Sequence, residues 1–298
     1  MKLGAFSQFF FVVFFMLIHM PLANAQDATA LKARYATLSS QLAHNQFQRP
    51  LYLESSESSG NLKGDVYALI EQPYSVAGPA LQGMDHWCDI LILHLNIKSC
   101  RASKPKAADM LSLRVGRKYD QPLEDAYLFE FIFKVVTAKA DYLQVVLNAK
   151  DGPLGTNNYR IVLEAVEIDP RRSFLHLSYS YFSGRTARAA TYVYLATIGR
   201  DKRGFSIVEH KSNGQPSYIG STRGVVERNS MRCYLAIEAY LNALSLPGPQ
   251  QVERRLNDWY SGVERYPIQL HEISRSEYLE MKHKEMRRQQ MQAISVVR

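Results

Sequence analysis

Four side chains able to bind metal or cycle between redox states lie close together in the chain: His86, Cys88, His94 and Cys100. Their spacing matches no standard zinc pattern. In an oxidising compartment Cys88 and Cys100 pair more naturally as a disulfide, with the histidines as incidental neighbours. Cys233 is then left over and reads as a small buried apolar residue on a helix, with pairing between molecules as the alternative. His176 shares a strand face with Phe174, Ser178 and Phe182. It is a candidate polar anchor or proton shuttle, against the plainer reading of a hydrogen-bonded structural histidine. Asp85 and Asp89 flank Trp87 at a helix-like spacing and serve more naturally as helix-end or solvent-facing acids than as a catalytic pair. Glu227, Arg228 and Asn229 open a long helix, where a charged pair reaches a ligand headgroup or locks a loop. Gly220-Ser221-Thr222-Arg223-Gly224 has the outline of a nucleophile elbow, but Thr222 stands where that motif needs serine, so it reads as a loop entering a helix. No phosphate-cradling loop, dinucleotide fingerprint or calcium loop is present, so no cofactor is expected.

The N-terminus carries Lys2, an apolar run from Phe9 to Ile18, Pro21 and the triplet Ala23-Asn24-Ala25. A positive start, a short apolar region and a small-residue site together predict a secretory signal over residues 1–25, cleaved near Ala25. The run is too short for a comfortable membrane span of roughly 20 residues. The cleaved chain is expected to be periplasmic or secreted. It has no cysteine at the new N-terminus to carry a lipid. Its net charge of +8 falls to +7 once Lys2 is removed. Basic residues concentrate near Lys282–Arg288. Export argues against nucleic acid as their partner, and an anionic membrane surface suits the compartment better, with a charge that only keeps the protein in solution as an equal alternative.

The elements that must position these groups follow from periodicity. Leu31, Tyr35, Leu38 and Leu42 predict an amphipathic helix over 28–44. The polar run Glu54–Gly60 reads as a linker that closes an N-terminal segment of residues 26–59. Leu62–Ile70 alternates as a strand, and a helical stretch leads to Trp87. Ile90–Ile97 fits a strand or a second short helix. Strands follow at Leu111–Arg117, Tyr127–Val136, Tyr142–Asn148, Tyr159–Ile168 and Phe174–Phe182, punctuated by Asp151-Gly152-Pro153, Asp169-Pro170 and Ser183-Gly184. This texture predicts an antiparallel meander. Thr186–Ile198 is read as a further strand, with Gly204–Glu209 continuing the sheet. The strongest helix spans 225–244 and stops at Pro247-Gly248-Pro249. A helix around Trp259 follows, and the capping box Ser274-x-x-Glu277 opens a last charged helix. Residues 248–298 therefore read as a C-terminal helical extension.

Strand, short helices, meander and long helix, in that order, resemble the helix-grip fold of the START and polyketide-cyclase-like superfamily. The resemblance covers Leu62 to Leu244. It is carried by Gly64-Asp65-Val66-Tyr67-Ala68, the helix leading to Trp87 and the helix after Gly224. It implies an α+β domain over residues 60–247, in which a curved antiparallel sheet wraps the long helix and leaves a cavity between them. The Cys88/Cys100 pair and the helices after Pro249 depart from the pattern. The implied function is to bind or carry an apolar or amphipathic small molecule such as a lipid, in a pocket of several hundred Å³. Candidate lining residues are Phe129, Phe131, Phe133, Tyr179, Tyr181, Ile237 and Tyr240, with Arg228 or His176 as polar anchors. Two other readings stand beside it: a cyclase- or hydrolase-type enzyme working in the same cavity through His176, and an envelope interaction protein with a solid core. In the last, Leu31, Tyr35, Leu38 and Leu42 stay exposed until a partner docks.

Overall fold

The computed structural model describes residues 27–105, 108–185, 189 and 201–297. The leader and Thr186–Ile198 therefore lie almost wholly outside the described residues. Two short helices, α1 (Ala28–Thr37) and α2 (Ser39–Ala43), precede a sheet of eight antiparallel strands. These are β1 (Leu51–Ser58), β2 (Asn61–Ile70), β3 (Ile97–Ser103), β4 (Met110–Val115), β5 (Tyr127–Ala138), β6 (Tyr142–Asp151), β7 (Thr156–Asp169) and β8 (Arg172–Ser183). Between β2 and β3 the chain forms α3 (Tyr74–Ala80) and α4 (Met84–Leu91) and crosses to the far edge of the sheet. From there it returns strand by strand, so that β8 closes against β2 in the order β1-β2-β8-β7-β6-β5-β4-β3. The long helix α5 (Ser221–Ala243) then runs along the concave face. This is an α+β helix-grip fold.

Four features depart from the sequence reading. The serine-rich run expected to be a linker is the strand β1, joined to β2 through a two-residue turn with Ser59 at φ 50° and Gly60 at φ 87°. Positive φ at both positions is the geometry of a tight hairpin, which favours glycine at the second. The run's polarity suits an edge strand, which needs no second apolar face. The segment after α4 is a turn, and the edge strand begins only at Ile97. β9 (Ile207–His210) does not extend the main sheet but pairs with β10 (Pro216–Tyr218) in a separate hairpin. Leu31, Leu38 and Leu42 are buried against Tyr67, Tyr142, Val166 and Phe174 on the convex face, so they are not a free docking surface.

The grip helix is buried on nearly every side. The sheet covers one side, and α6 (Gly248–Glu264), α7 (Pro267–Leu270) and α8 (Arg275–Val297) lie beyond it. Leu256, Trp259, Tyr260, Val263, Leu270, Tyr278 and Met281 join the same core as Leu235, Ile237 and Tyr240, so the C-terminal helices are a third layer. The capping box at Ser274 forms as expected, with Glu277 N–H donating to Ser274 Oγ and Ser274 N–H to Glu277 Oε2. Gly64 permits the close approach of sheet and grip helix, since a Cβ there would lie 2.4 Å from Ser230 Oγ. Gly64→Ala is expected to destabilise the fold by about 1–3 kcal/mol through overpacking, read as a lower denaturant midpoint at unchanged slope.

Candidate functional site

The concave face is closed along most of its length and open at one end. Leu143, Val145, Leu163, Leu175 and Leu177 pack in one continuous core with Ile237, Ala236 and Trp87. Towards the other end, a cavity of about 220 Å³ remains between sheet and helix. Its walls come from seven elements and two connecting segments: Leu91 of α4, His94 and Asn96 after it, Ile97 of β3, Leu113 and Val115 of β4, Phe129 and Phe131 of β5, Pro153 before β7, Tyr159 and Ile161 of β7, Tyr179 of β8, and Asn229 and Cys233 of α5. A second void of about 10 Å³ shares Leu91, His94, Ile161 and Cys233 and reaches Ile237 and Trp87. That is hardly the space of one water.

Strand alternation places the lining. Phe129, Tyr159 and Tyr179 sit at inward positions of β5, β7 and β8, and the aromatic rings brace one another. Tyr159 meets Phe129 edge-on at 4.8 Å and stacks on Tyr181 at 5.0 Å. Of the residues expected to line the cavity, Phe129, Phe131 and Tyr179 do so, and Ile237 touches only the minor void. Tyr181 supports Tyr159 from behind. Phe133 packs near Trp87 at 6.3 Å, and Tyr240 lies under the Arg255 guanidinium at 4.4 Å.

Neither expected polar anchor lines the cavity. Arg228 is buried, and its Nη1 donates to the Arg203 carbonyl. Beside it Glu227 accepts from the backbone N–H groups of Phe205 and Ser206 and from the hydroxyls of Ser55 and Ser206. This pair ties the incoming loop to the grip helix. His176 is on the opposite face of the sheet, because alternation along β8 turns it outward whenever Leu175, Leu177, Tyr179 and Tyr181 turn inward. There it stands between Tyr67 of β2 and Glu164 of β7, its direct partners in register. Its Nδ1 lies 2.7 Å from Glu164 Oε2 and its Nε2 2.8 Å from Asp65 Oδ1. Tyr67 stacks on the imidazole at 4.3 Å, and the Tyr142 hydroxyl donates to Glu164. Burial pulls the His176 pKa down, but the two carboxylates outweigh it and hold the ring above its ordinary value. Burial likewise pushes Asp65 up, and His176 and Lys63 bring it below the usual carboxylate range. This is a buried structural network under the N-terminal helices.

The polar groups that do reach the cavity belong to residues that sequence reasoning set aside. His94, read as an incidental neighbour of a cysteine, lines both voids. The Asn96 N–H donates to its Nδ1 at 3.1 Å, so the ring's proton sits on Nε2. Burial, then the positive charges of Arg232, Lys282, Lys118 and Lys98, push its pKa well below the ordinary value, so the ring is neutral. Asn229 and the Tyr179 hydroxyl also line the cavity, with no protein hydrogen-bond partner among the described residues. The Cys233 thiol is pushed up to about 12 by burial, which leaves it protonated and inert. No signal short of the folded register could have singled these residues out.

The wall segment carrying His94 is held by the C-terminal helix. The Tyr278 hydroxyl donates to the Leu93 carbonyl, Lys282 Nζ to those of His94 and Ile97, and Lys98 Nζ to that of Leu95. The Asn96 carbonyl takes the Gly116 N–H. Glu285 bridges the two ammonium groups at 3.0 and 2.8 Å, with all three side chains fully buried. Lys284 and Arg288 pair with Asp120. The basic run at Lys282–Arg288, read above as either a membrane-facing or a solubilising charge, is thus largely engaged within the protein. Cys88 and Cys100 form the expected disulfide between α4 and β3, and no cluster able to hold a metal occurs among the described residues.

No protein-family model matches the chain, and no curated protein matches it either. Solved structures do. They include a START superfamily protein from Mycobacterium smegmatis, 10% identical over 46% of this chain and 92% of that one, with a TM-score of 0.31. Norcoclaurine synthase from Thalictrum flavum is 12% identical over 50% of this chain and 78% of its own, with a TM-score of 0.31. A conserved protein of unknown function from Enterococcus faecalis is 8% identical over 79% and 89%, also at 0.31. The fold assignment here rests on the strand order and the grip helix of this chain itself.

Two outcomes test these interactions. Glu285→Ala leaves two buried ammonium groups without their carboxylate and is expected to cost about 3–5 kcal/mol, measured by chemical denaturation. The His176 network makes stability depend on pH in two directions. The raised imidazole contributes fully below the ordinary histidine value of 6.5, and its contribution is lost as pH rises through the folded-state value. The lowered Asp65 contributes above 3.8, and its part is lost as pH falls through its folded-state value. Denaturant midpoints measured from about pH 5 to about pH 9 should fall on the alkaline side in the wild type and flatten there in His176→Gln.

Proposed function

We propose that this chain is an exported protein that binds a small apolar or amphipathic molecule in the cavity between the sheet and α5. The observation carrying this reading is the unfilled cavity of about 220 Å³, edged by aromatic rings and by polar atoms without partners. Protein interiors are normally packed as densely as organic crystals. A largely apolar recess of about 220 Å³ that opens at one end departs from that packing and has the character of a small-molecule site. A bound molecule would take its apolar walls out of water. A cavity of about 150 Å³ accommodates benzene, so this one suits a single ring with a short tail, or a short length of acyl chain. A whole diacyl lipid exceeds it. The Cys88–Cys100 disulfide supports an oxidising compartment, in keeping with the expected leader.

The cyclase- or hydrolase-type reading finds less support. Its intended base, His176, faces away from the cavity, and the lining contains no carboxylate to pair with His94. Organic extraction of the purified exported protein, followed by mass spectrometry, should release a small apolar molecule. Cys233→Phe, which projects a ring into the void, should abolish its retention while leaving the circular dichroism spectrum unchanged. Retention of the same molecule by that variant would sink the assignment of the cavity. Intact mass should place the mature N-terminus at Gln26.

A further inference from the structure

The polar end of the cavity suggests which kind of amphiphile it takes, an inference that rests on the reading above. Three residues lining the void carry side-chain donors: His94 through Nε2–H, Asn229 through its amide and Tyr179 through its hydroxyl. None of them has a protein acceptor among the described residues. Nε2 has only a proton to offer, since Nδ1 is already occupied as an acceptor. Behind this wall the strongest charges acting on His94 are Arg232, Lys282, Lys118 and Lys98, four cations that share two carboxylates, Glu272 and Glu285, so positive charge is in excess. Lys282 Nζ donates to the carbonyl of His94 itself at 2.8 Å, and Arg232 is the chain neighbour of Cys233. A small site with unused donors, backed by clusters in which cations outnumber carboxylates and free of carboxylates in its own lining, favours an anion.

We propose that the ligand is a monocarboxylate, its anionic end against His94 Nε2–H and Asn229 and its apolar part between Phe129 and Tyr159. A neutral molecule of the same shape gains nothing from the cations behind the wall. A phosphate ester brings more charge and bulk than these few neutral donors and about 220 Å³ serve. The carboxylate belongs either to an aromatic acid or to a short fatty acid, since both present the same head.

The test titrates the purified, extracted protein at neutral pH with 3-phenylpropanoate, its amide, hexanoate and ethylbenzene, followed by calorimetry. The two acids are expected to bind, with 3-phenylpropanoate at least ~tenfold tighter than the amide, as charge-assisted hydrogen bonds imply. The tighter of the two acids tells a ring from a chain. His94→Gln should remove most of that preference and change the affinity for ethylbenzene far less. Asn229→Ala, in the same lining, gives the same readout should His94→Gln fail to fold. If ethylbenzene binds but the amide matches the acid, the carboxylate proposal is overturned and the cavity reading survives. If none of the four binds, both fall.

Discussion

The carbonyls of residues 93–97 are the constraint around which the binding end of this protein is organised. The turn between a helix and an edge strand, together with the strand's first residue Ile97, carries five acceptors into the interior, where an unpaired one costs about 1–3 kcal/mol. All five are met, one by Gly116 and the others by Tyr278, Lys282 and Lys98. Two buried ammonium groups in turn require Glu285 between them. Such a cluster adds little net stability over apolar residues of equal size. What it supplies is geometry, because only one placement of α8 satisfies every member. The wall holding His94 and Asn96 is therefore positioned by residues nearly two hundred positions later in the chain. The C-terminal helices are part of the site, although they never touch the void.

The same strands serve two different ends on their two faces. Inward positions of β7 and β8 bring Tyr159, Ile161 and Tyr179 to the cavity. Outward positions three residues away bring Glu164 and His176 into a buried ion network roofed by α1 and α2. A single-residue shift in register would exchange the two sets. The tightly specified network, with its paired carboxylates and stacked Tyr67, holds that register.

Much of the architecture was legible in the sequence because it rests on periodicity. β2, β4 to β8 and the long helix all announce themselves through alternation or a helical repeat, and Cys88 and Cys100 announced their bridge. What escaped was decided by tertiary partners. β1 has too few apolar residues to read as a strand, since only its pairing to β2 makes it one. The leucines of the first helix looked unpartnered because the convex sheet face that covers them is formed over a hundred residues later. His176 drew attention as an isolated histidine among aromatics, yet strict alternation already put it opposite Tyr179 and Tyr181. His94 was passed over because nothing local distinguishes a ring nitrogen with a partner from one without. The run from Lys282 to Arg288 looked like a cationic surface, whereas the helix turns Lys282 and Glu285 fully inward.

The bridge between Cys88 and Cys100 lies under this same roof. Both sulfur-bearing residues are buried, at 7% and 2% exposure, and the Cys100 N–H is covered by Gln289 of the last helix. Little of either residue meets solvent in the folded protein, so thiol exchange is expected to be slow until the structure opens locally. Because the bridge joins α4 to β3 on either side of the segment that carries His94, its resistance to reduction reports on how often that part of the cavity wall opens.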